Sequence, residues 1–190
     1  MPTRRLALAG LIALVLAGAA PAQDAPRDAP GRAALFRQLR AAASEREGRL
    51  AEDAIWRLWM DEAPTAAIRE AVAEAMRRRE AYDFAAALAI LDRVVAEAPD
   101  YAEGWNQRAF IRFLRDDPDG ALEDVERTLA LEPLHFAALA GKAIILMRQG
   151  RMEAGQAALR RAVEIHPWLK ERGMLIPLPG EAMPGPGRDI

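Results

Sequence analysis

Apolar residues recur along most of the chain at intervals of three and four positions, which is the spacing of one face of an α-helix. Between residues 66 and 167 this pattern returns every 34 positions. The repeat has one column of prolines and three columns of small or aliphatic residues: Pro99, Pro133, Pro167; Ala75, Ala109, Ala143; Leu91, Val125, Leu159; and Val95, Leu129, Val163. Four columns in one register predict three units, at about residues 68–101, 102–135 and 136–169.

Each unit reads as two helices joined by a short polar turn. In the second unit the pattern predicts helices over 102–114 and 118–131. Asp117 precedes the second of these helices and can accept hydrogen bonds from its first-turn amides as an N-cap. Asp83 repeats this cap one unit earlier, whereas Arg151 stands at the equivalent place in the third unit. We therefore expect the last helix to begin without a side-chain cap.

Helical spacing also extends upstream of the repeats, over residues 33–63, with an interruption at Gly48. This segment predicts one or two helices. We expect them to cap the first repeat, since an end unit of a solenoid must present one apolar and one polar face. The flanking residues 23–32 and 174–190 are rich in proline, glycine and charge. They are predicted to form a disordered linker and a disordered tail.

The first 22 residues read as a signal peptide. Arg4 and Arg5 precede an apolar run over 6–19, and Ala20-Pro21-Ala22 is the small-x-small pattern at which signal peptidases cut. The run is shorter than the roughly 20 apolar residues that cross a bilayer. We expect cleavage after Ala22 and export, with the periplasm as the destination. An uncleaved membrane anchor is the alternative, and the choice between general secretion and twin-arginine export stays open.

Composition and charge narrow the range of functions. Apolar residues make up 52% of the chain, which is ample for a core. The 26 basic and 28 acidic residues are interspersed and give a net charge of −2, so nucleic acid is not an expected partner. The chain has no cysteine, which excludes disulfides, thiolate metal sites and a cysteine nucleophile.

Candidate catalytic and metal-binding residues are scarce. His135 and His166 have no carboxylate or second histidine at metal-ligand spacing, and we interpret both as structural or surface residues. The acidic cluster at 116–119 resembles the start of a calcium loop, but Thr128 stands where such a loop ends in glutamate. Capping by Asp117 explains the cluster better. With no phosphate-binding glycine loop and no nucleophile elbow, we predict no enzyme, no cofactor and no metal.

The 34-residue unit resembles the tetratricopeptide repeat (TPR). The second unit fits best, with Trp105, Ala109, Ala121, Val125 and Pro133 in the tryptophan, glycine, alanine, phenylalanine and proline places. Its departures are Arg108 in the leucine place and Arg112 in the tyrosine place. The resemblance implies an all-α fold, a right-handed superhelical solenoid of helical hairpins, here with an N-terminal helical cap. The aromatic segment 55–59 also resembles small exported bacterial members of the family whose function is unassigned.

The resemblance further implies a concave face, lined by the first helix of each hairpin, that takes up a peptide or a helix. The implied partner-binding residues are Arg69, Val72, Met76, Arg79, Asn106, Phe110, Phe113, Ile144, Met147 and Arg148. The lysine and asparagine set with which chaperone-binding members clamp a C-terminal carboxylate is missing, because its places hold Val72, Met76, Gln107, Ala137 and Gly141. The expected role is a non-catalytic protein-protein interaction adaptor, or scaffold, of the bacterial envelope.

Three interpretations of the apolar residues on this face stay open. They can floor a groove for an apolar or amphipathic helix, with Arg79 and Arg148 adding charge selectivity. They can equally be core residues, since aromatic and methionine side chains at helical spacing usually are. In the third interpretation the chain's own N-terminal helix or C-terminal tail fills the face, which leaves a self-capped solenoid, or a second copy fills it in a homo-oligomer.

Overall fold

The computed structural model of the chain describes residues 30–178 and 180. The predicted signal peptide, most of the predicted linker and the end of the predicted tail lie outside these residues. The described part is all-helical, with α1 (Pro30–Ala41), α2 (Glu45–Asp61), α3 (Ala66–Glu80), α4 (Phe84–Glu97), α5 (Ala102–Leu114), α6 (Pro118–Leu131), α7 (Phe136–Arg148), α8 (Met152–Ile165) and a 3₁₀ turn over Lys170–Met174. None of the helices described here combines the length and the apolar character that crossing a bilayer requires.

Three helical hairpins, α3–α4, α5–α6 and α7–α8, stack in chain order, and each packs on its neighbour through the second helix of one and the first helix of the next. This arrangement confirms the predicted all-α solenoid. The first helices, α3, α5 and α7, form what we call the inner face.

Polar side chains start most of the helices. Asp83 and Asp117 accept the N–H of the third residue that follows, from Ala86 at 3.2 Å and from Gly120 at 3.0 Å. Thr65 caps α3 in the same way, and the side chain of Arg151 makes no such bond at the start of α8. The aspartate caps and the missing cap were both predicted from the sequence.

The turn inside each hairpin holds one residue in the left-handed backbone region. These residues are Tyr82, Asp116 and Gly150, with φ of 59°, 63° and 76°, and they recur at the 34-residue period. Only the glycine adopts this conformation without a steric penalty. The turn geometry is therefore a property of the repeat, and the first two units keep it despite their side chains.

The N-terminal hairpin α1–α2 packs mainly on the third repeat, and Met60 at the end of α2 also packs on the core of the first repeat, where the sequence placed the hairpin. Its largest fully buried side chains, Phe36 and Trp59, lie in one cluster with Phe136 of α7 and Leu159 of α8. Helix α2 also contacts α5. The hairpin thus crosses the inner face to reach the third repeat, because the complementary apolar surface for its aromatic residues lies there.

At both ends, some residues that the sequence predicted to be disordered belong to the folded part of the structure. Residues 30–32 belong to α1 rather than to a linker, and the side chain of Arg32 is buried in ion pairs with Glu62 and Glu132. At the other end, Leu175 is buried in the same cluster as Trp59. The N–H of Ile176 donates to Oε1 of Gln156 at 2.8 Å, so the chain stays on α8 beyond residue 174.

Candidate functional site

A cavity of about 490 Å³ lies between α2 and the inner face, and we call it the cleft. One wall comes from α2, the floor comes from α5 and α7, and the segment after α8 closes one end. Prominent lining residues are Glu45, Arg49, Glu52 and Trp56 from α2; Arg79, Asn106, Gln107, Phe110, Phe113, Phe136 and Ile144 from the repeats; and Trp168, Lys170 and Glu171. The cleft is therefore lined by α2, by the first helices of the three repeats and by the segment after α8.

Half of the residues that the sequence suggested for partner binding line the cleft. They are Arg79, Asn106, Phe110, Phe113 and Ile144. Phe110 is 45% exposed, although it is a large apolar side chain. The repeat register alone was enough to bring these five residues together.

The other five suggested residues lie elsewhere. Val72 is fully buried in the core of the first hairpin, and Met76 packs half-buried on the same core. Met147 turns toward α8, where its Sδ lies 3.2 Å from the amide nitrogen of Gln156. Arg69 and Arg148 are exposed outside the cleft; Arg69 pairs with Asp61 at 3.3 Å. The apolar strip predicted as one surface is thus divided between core and cleft.

Two arginines cover the phenylalanine rings at the rim. The Cζ atom of Arg79 lies 5.1 Å from the ring centroid of Phe110, and that of Arg148 lies 4.9 Å from the ring of Phe113. A guanidinium over an aromatic face is attracted by the ring quadrupole. Each arginine is therefore held over an aromatic ring, and Arg148 also lies 3.8 Å from the carboxylate of Asp116.

A buried polar chain runs from this rim into the protein. Nη1 of Arg79 donates to Oε1 of Gln107 at 3.0 Å, and Nε2 of Gln107 donates to Glu103 at 2.6 Å. Asn106 donates to the same carboxylate at 3.2 Å. Glu103 is 1% exposed, so these donors, together with His135 at 3.0 Å, compensate a carboxylate that has left water.

Both histidines are buried, and each lies within hydrogen-bond distance of a carboxylate. Nδ1 of His135 accepts the N–H of Ala138 at 3.2 Å and so caps α7. His166 lies 3.2 Å from Oε2 of Glu52. This hydrogen bond is the main reason that the pKa of Glu52 lies below its ordinary value of 4.5, against an opposing effect of burial.

Nothing in the sequence indicated that α2 forms a wall of the cleft. Trp56 and Glu52 line the cleft, but nothing in a helical pattern indicates which distant helix it will face. The closing segment was also missed, because Trp168, Lys170 and Glu171 lie at and beyond the end of the repeat pattern. Glu171 in this segment has one buried carboxylate oxygen, Oε2, with no hydrogen-bond partner in the described part of the chain.

The lining suits noncovalent binding. It offers aromatic and aliphatic surface, two amides and a few charged groups, which is the usual make-up of a ligand pocket. Among residues 30–178, no group of three or more histidine, aspartate or glutamate side chains is arranged as metal ligands.

No family model matches the chain. A TPR repeat-containing protein from Rhizobium etli is 42% identical over 82 residues, which are 43% of this chain and 40% of that protein. The chain thus spans less than half the length of this curated relative.

The first TPR domain of Spaghetti (RPAP3), solved bound to an HSP90 peptide, superposes with a TM-score of 0.53 at 14% identity over 55% of this chain and 82% of that one. The Sgt2 TPR domain of Aspergillus fumigatus gives 0.52 at 16% identity over 54% and 68%. At these identities, the two structural matches show the fold alone.

Proposed function

Since the chain is a tetratricopeptide-repeat protein, we propose that it is a non-catalytic interaction protein that holds a segment of another protein in the cleft. The observation that carries this proposal is Phe110, a phenylalanine that is 45% exposed at the mouth of a 490 Å³ cavity. Exposed aromatic side chains beside a pocket are typical anchors of protein interfaces.

The size and position of the cleft favour a short segment over a long helix. Cavities of roughly 300–1,000 Å³ enclose ligands of modest size, and the hairpin α1–α2 already covers the remainder of the inner face near α7. A bound chain therefore has room for a few side chains between Trp56 and Phe110.

The Spaghetti domain supports this binding mode, since it was solved with a peptide of HSP90 on the same fold. This chain does not repeat the carboxylate clamp of chaperone-binding members. Gln107 and Gly141 stand in two of the clamp places and line the cleft, and neither carries a positive charge. We infer that the segment is recognised through the aromatic rim and not through its C-terminus.

The partner can be tested by affinity capture from an envelope fraction with three baits. Wild type and Tyr82→Ser should retain the same proteins, because Tyr82 is an aromatic side chain 82% exposed at a hairpin turn and outside the cleft. Phe110→Ser should lose them while keeping the helical circular dichroism spectrum. Equal capture by Phe110→Ser would rule out the cleft as the site.

The envelope location rests on the N-terminal pattern alone. Production of the full chain in a Gram-negative host should yield a periplasmic protein whose first residue is Gln23. Recovery of the uncut chain in the cytoplasm would contradict this proposal.

A self-capped solenoid is the second candidate, and the position of α1–α2 favours it. In that case the hairpin α1–α2 occupies the inner face permanently, and no partner binds in the remaining cavity. A homo-oligomer is its variant, with a second copy over Phe110. Light scattering of the purified protein separates these: a monomer at all concentrations excludes the oligomer, and a concentration-dependent dimer that Phe110→Ser abolishes supports it.

A further inference from the structure

Six charged side chains line the cleft, and five of them have an ionisable partner. The pairs are Arg49 with Glu45, Glu52 with His166, and Lys170 with Glu171. Arg79 is the sixth, and it has no carboxylate within ion-pair distance among the described residues. The positive charge of this half-buried guanidinium is therefore uncompensated, whereas charged groups in such places are usually paired.

The guanidinium of Arg79 is nevertheless held in position. Its Nη1 donates to Oε1 of Gln107 at 3.0 Å, and its Cζ lies 5.1 Å from the Phe110 ring centroid. Gln107 is in turn fixed by its 2.6 Å bond to Glu103. One edge of the guanidinium is thus occupied, and the remaining donors are preorganised for a planar acceptor such as a carboxylate.

We propose that the segment bound in the cleft carries an aspartate or glutamate whose carboxylate pairs with Arg79, next to an apolar side chain that packs on Phe110. This inference rests on the proposed function. The apolar contact follows from the neighbours of the arginine, because Phe110, Phe113 and Ile144 line the same cavity. The occupant is a segment of another protein, chosen by this charge complementarity.

Arg79 is the favoured place in the cleft for the carboxylate of the bound segment. The positive charges of Arg49 and Lys170 are already matched by Glu45 and Glu171. An incoming carboxylate at either place would meet a like charge beside the cation. Arg79 is linked to the Glu103 carboxylate only through Gln107, and that carboxylate is itself compensated by three donors.

Selection from a phage library of random 12-residue peptides tests the proposal. The baits are the purified wild-type protein, Arg79→Gln and a matched control, Arg93→Gln, which removes the same charge from an exposed site on α4. Wild type and Arg93→Gln should select sequences in which aspartate or glutamate adjoins a leucine, isoleucine or phenylalanine. Arg79→Gln should select without preference for an acid, and circular dichroism should show that it is folded.

A double-mutant cycle then measures the pair itself. Replacing the acid of a selected synthetic peptide by its amide should weaken binding to wild type about tenfold or more, and should change binding to Arg79→Gln by less than about twofold. Selected peptides without an acid, or with an acid insensitive to Arg79→Gln, would overturn the inference and leave the proposed function standing. A wild-type bait that selects no peptide would overturn both.

Discussion

Nε2 of His135 lies 3.0 Å from Oε2 of Glu103, and both side chains are at most 1% exposed. Because Nδ1 of His135 accepts the N–H of Ala138, the ring hydrogen of a neutral histidine stands on Nε2 and is donated to the carboxylate. The Trp59 ring stacks on the imidazole at 3.9 Å. One histidine therefore joins α5, α7 and the N-terminal hairpin.

His135→Ala should lower the free energy of unfolding by about 3 kcal/mol. The substitution removes a helix N-cap, worth about 1 kcal/mol, and leaves the buried Glu103 carboxylate short of a donor, which costs about 2 kcal/mol. Urea unfolding followed by circular dichroism measures the change. His135→Asn retains a capping oxygen and should recover part of the loss; equal stability of the alanine variant and wild type would contradict this account.

Gly48→Ala should destabilise the protein by about 1–3 kcal/mol, even though alanine favours a helix. A methyl group at this position in α2 would lie 2.8 Å from Cδ1 of Trp168, which is closer than packed atoms allow. Gly141→Ala is the matched control within α7, because its methyl would meet nothing within 4 Å.

The control should raise stability by up to about 1 kcal/mol. Thermal unfolding of the two variants should therefore shift in opposite directions. A stabilising Gly48→Ala would show that α2 does not pack against the segment after α8 as described.

Glu52→Gln should reduce stability near neutral pH and lose its effect in acid. The hydrogen bond from His166 lowers the pKa of Glu52 in the folded protein. A carboxyl group with a lowered folded pKa adds stability that is complete above its unfolded value and disappears as the pH falls through the folded value. The stability difference between wild type and Glu52→Gln should therefore be constant above about pH 4.5 and shrink below it.

Chemical unfolding at a series of pH values measures this difference. Glu97→Gln removes the same charge from an exposed position on α4 and serves as the control. A difference between wild type and Glu52→Gln that grows as the pH falls below 4.5 would have the wrong sign for this pair.

Asp124→Ala should cost about 3–5 kcal/mol, the usual penalty for breaking a buried ion pair. The Asp124 carboxylate is 2% exposed and accepts from Nε and Nη2 of Arg108, at 2.8 and 2.7 Å. Asp92 pairs with the same arginine at 3.0 Å but is 51% exposed. Asp92→Ala should therefore change stability by less than about 1 kcal/mol. Urea unfolding measures the free energy of unfolding of both variants. Similar decreases for the two would show that burial does not determine the cost of breaking an ion pair.

The same contacts explain why the second repeat departs from the family pattern. Arg108 and Arg112 stand in the places of leucine and tyrosine, and both reach Asp124 on the partner helix of their hairpin. A polar cluster thus replaces an apolar one at the same junction. From the sequence alone, Arg108 and Arg112 can be recognised only as departures from the repeat pattern, because the aspartate that compensates them, Asp124, is not part of that pattern.

The helices of the repeats could be predicted because local information sets them. The predicted bounds 102–114 and 118–131 are those of α5 and α6. Only the floor of the cleft could be predicted. Its α2 wall depends on long-range contacts, such as that of Trp168 with Ala42, which are 126 residues apart. A repeat period contains no information about such a contact. The division of the apolar strip into core and cleft has the same origin.

The long-range contacts of α1–α2 also set an order of assembly. A solenoid ordinarily grows by adding each repeat to the previous one, so that any stretch of it can melt separately. Here α1 and α2 come before their apolar partners in the chain, so they find these partners only when α7, α8 and Trp168 have been made. We therefore expect the hairpin to dock after the repeats have formed, and its long-range contacts to make the repeats unfold together rather than one by one.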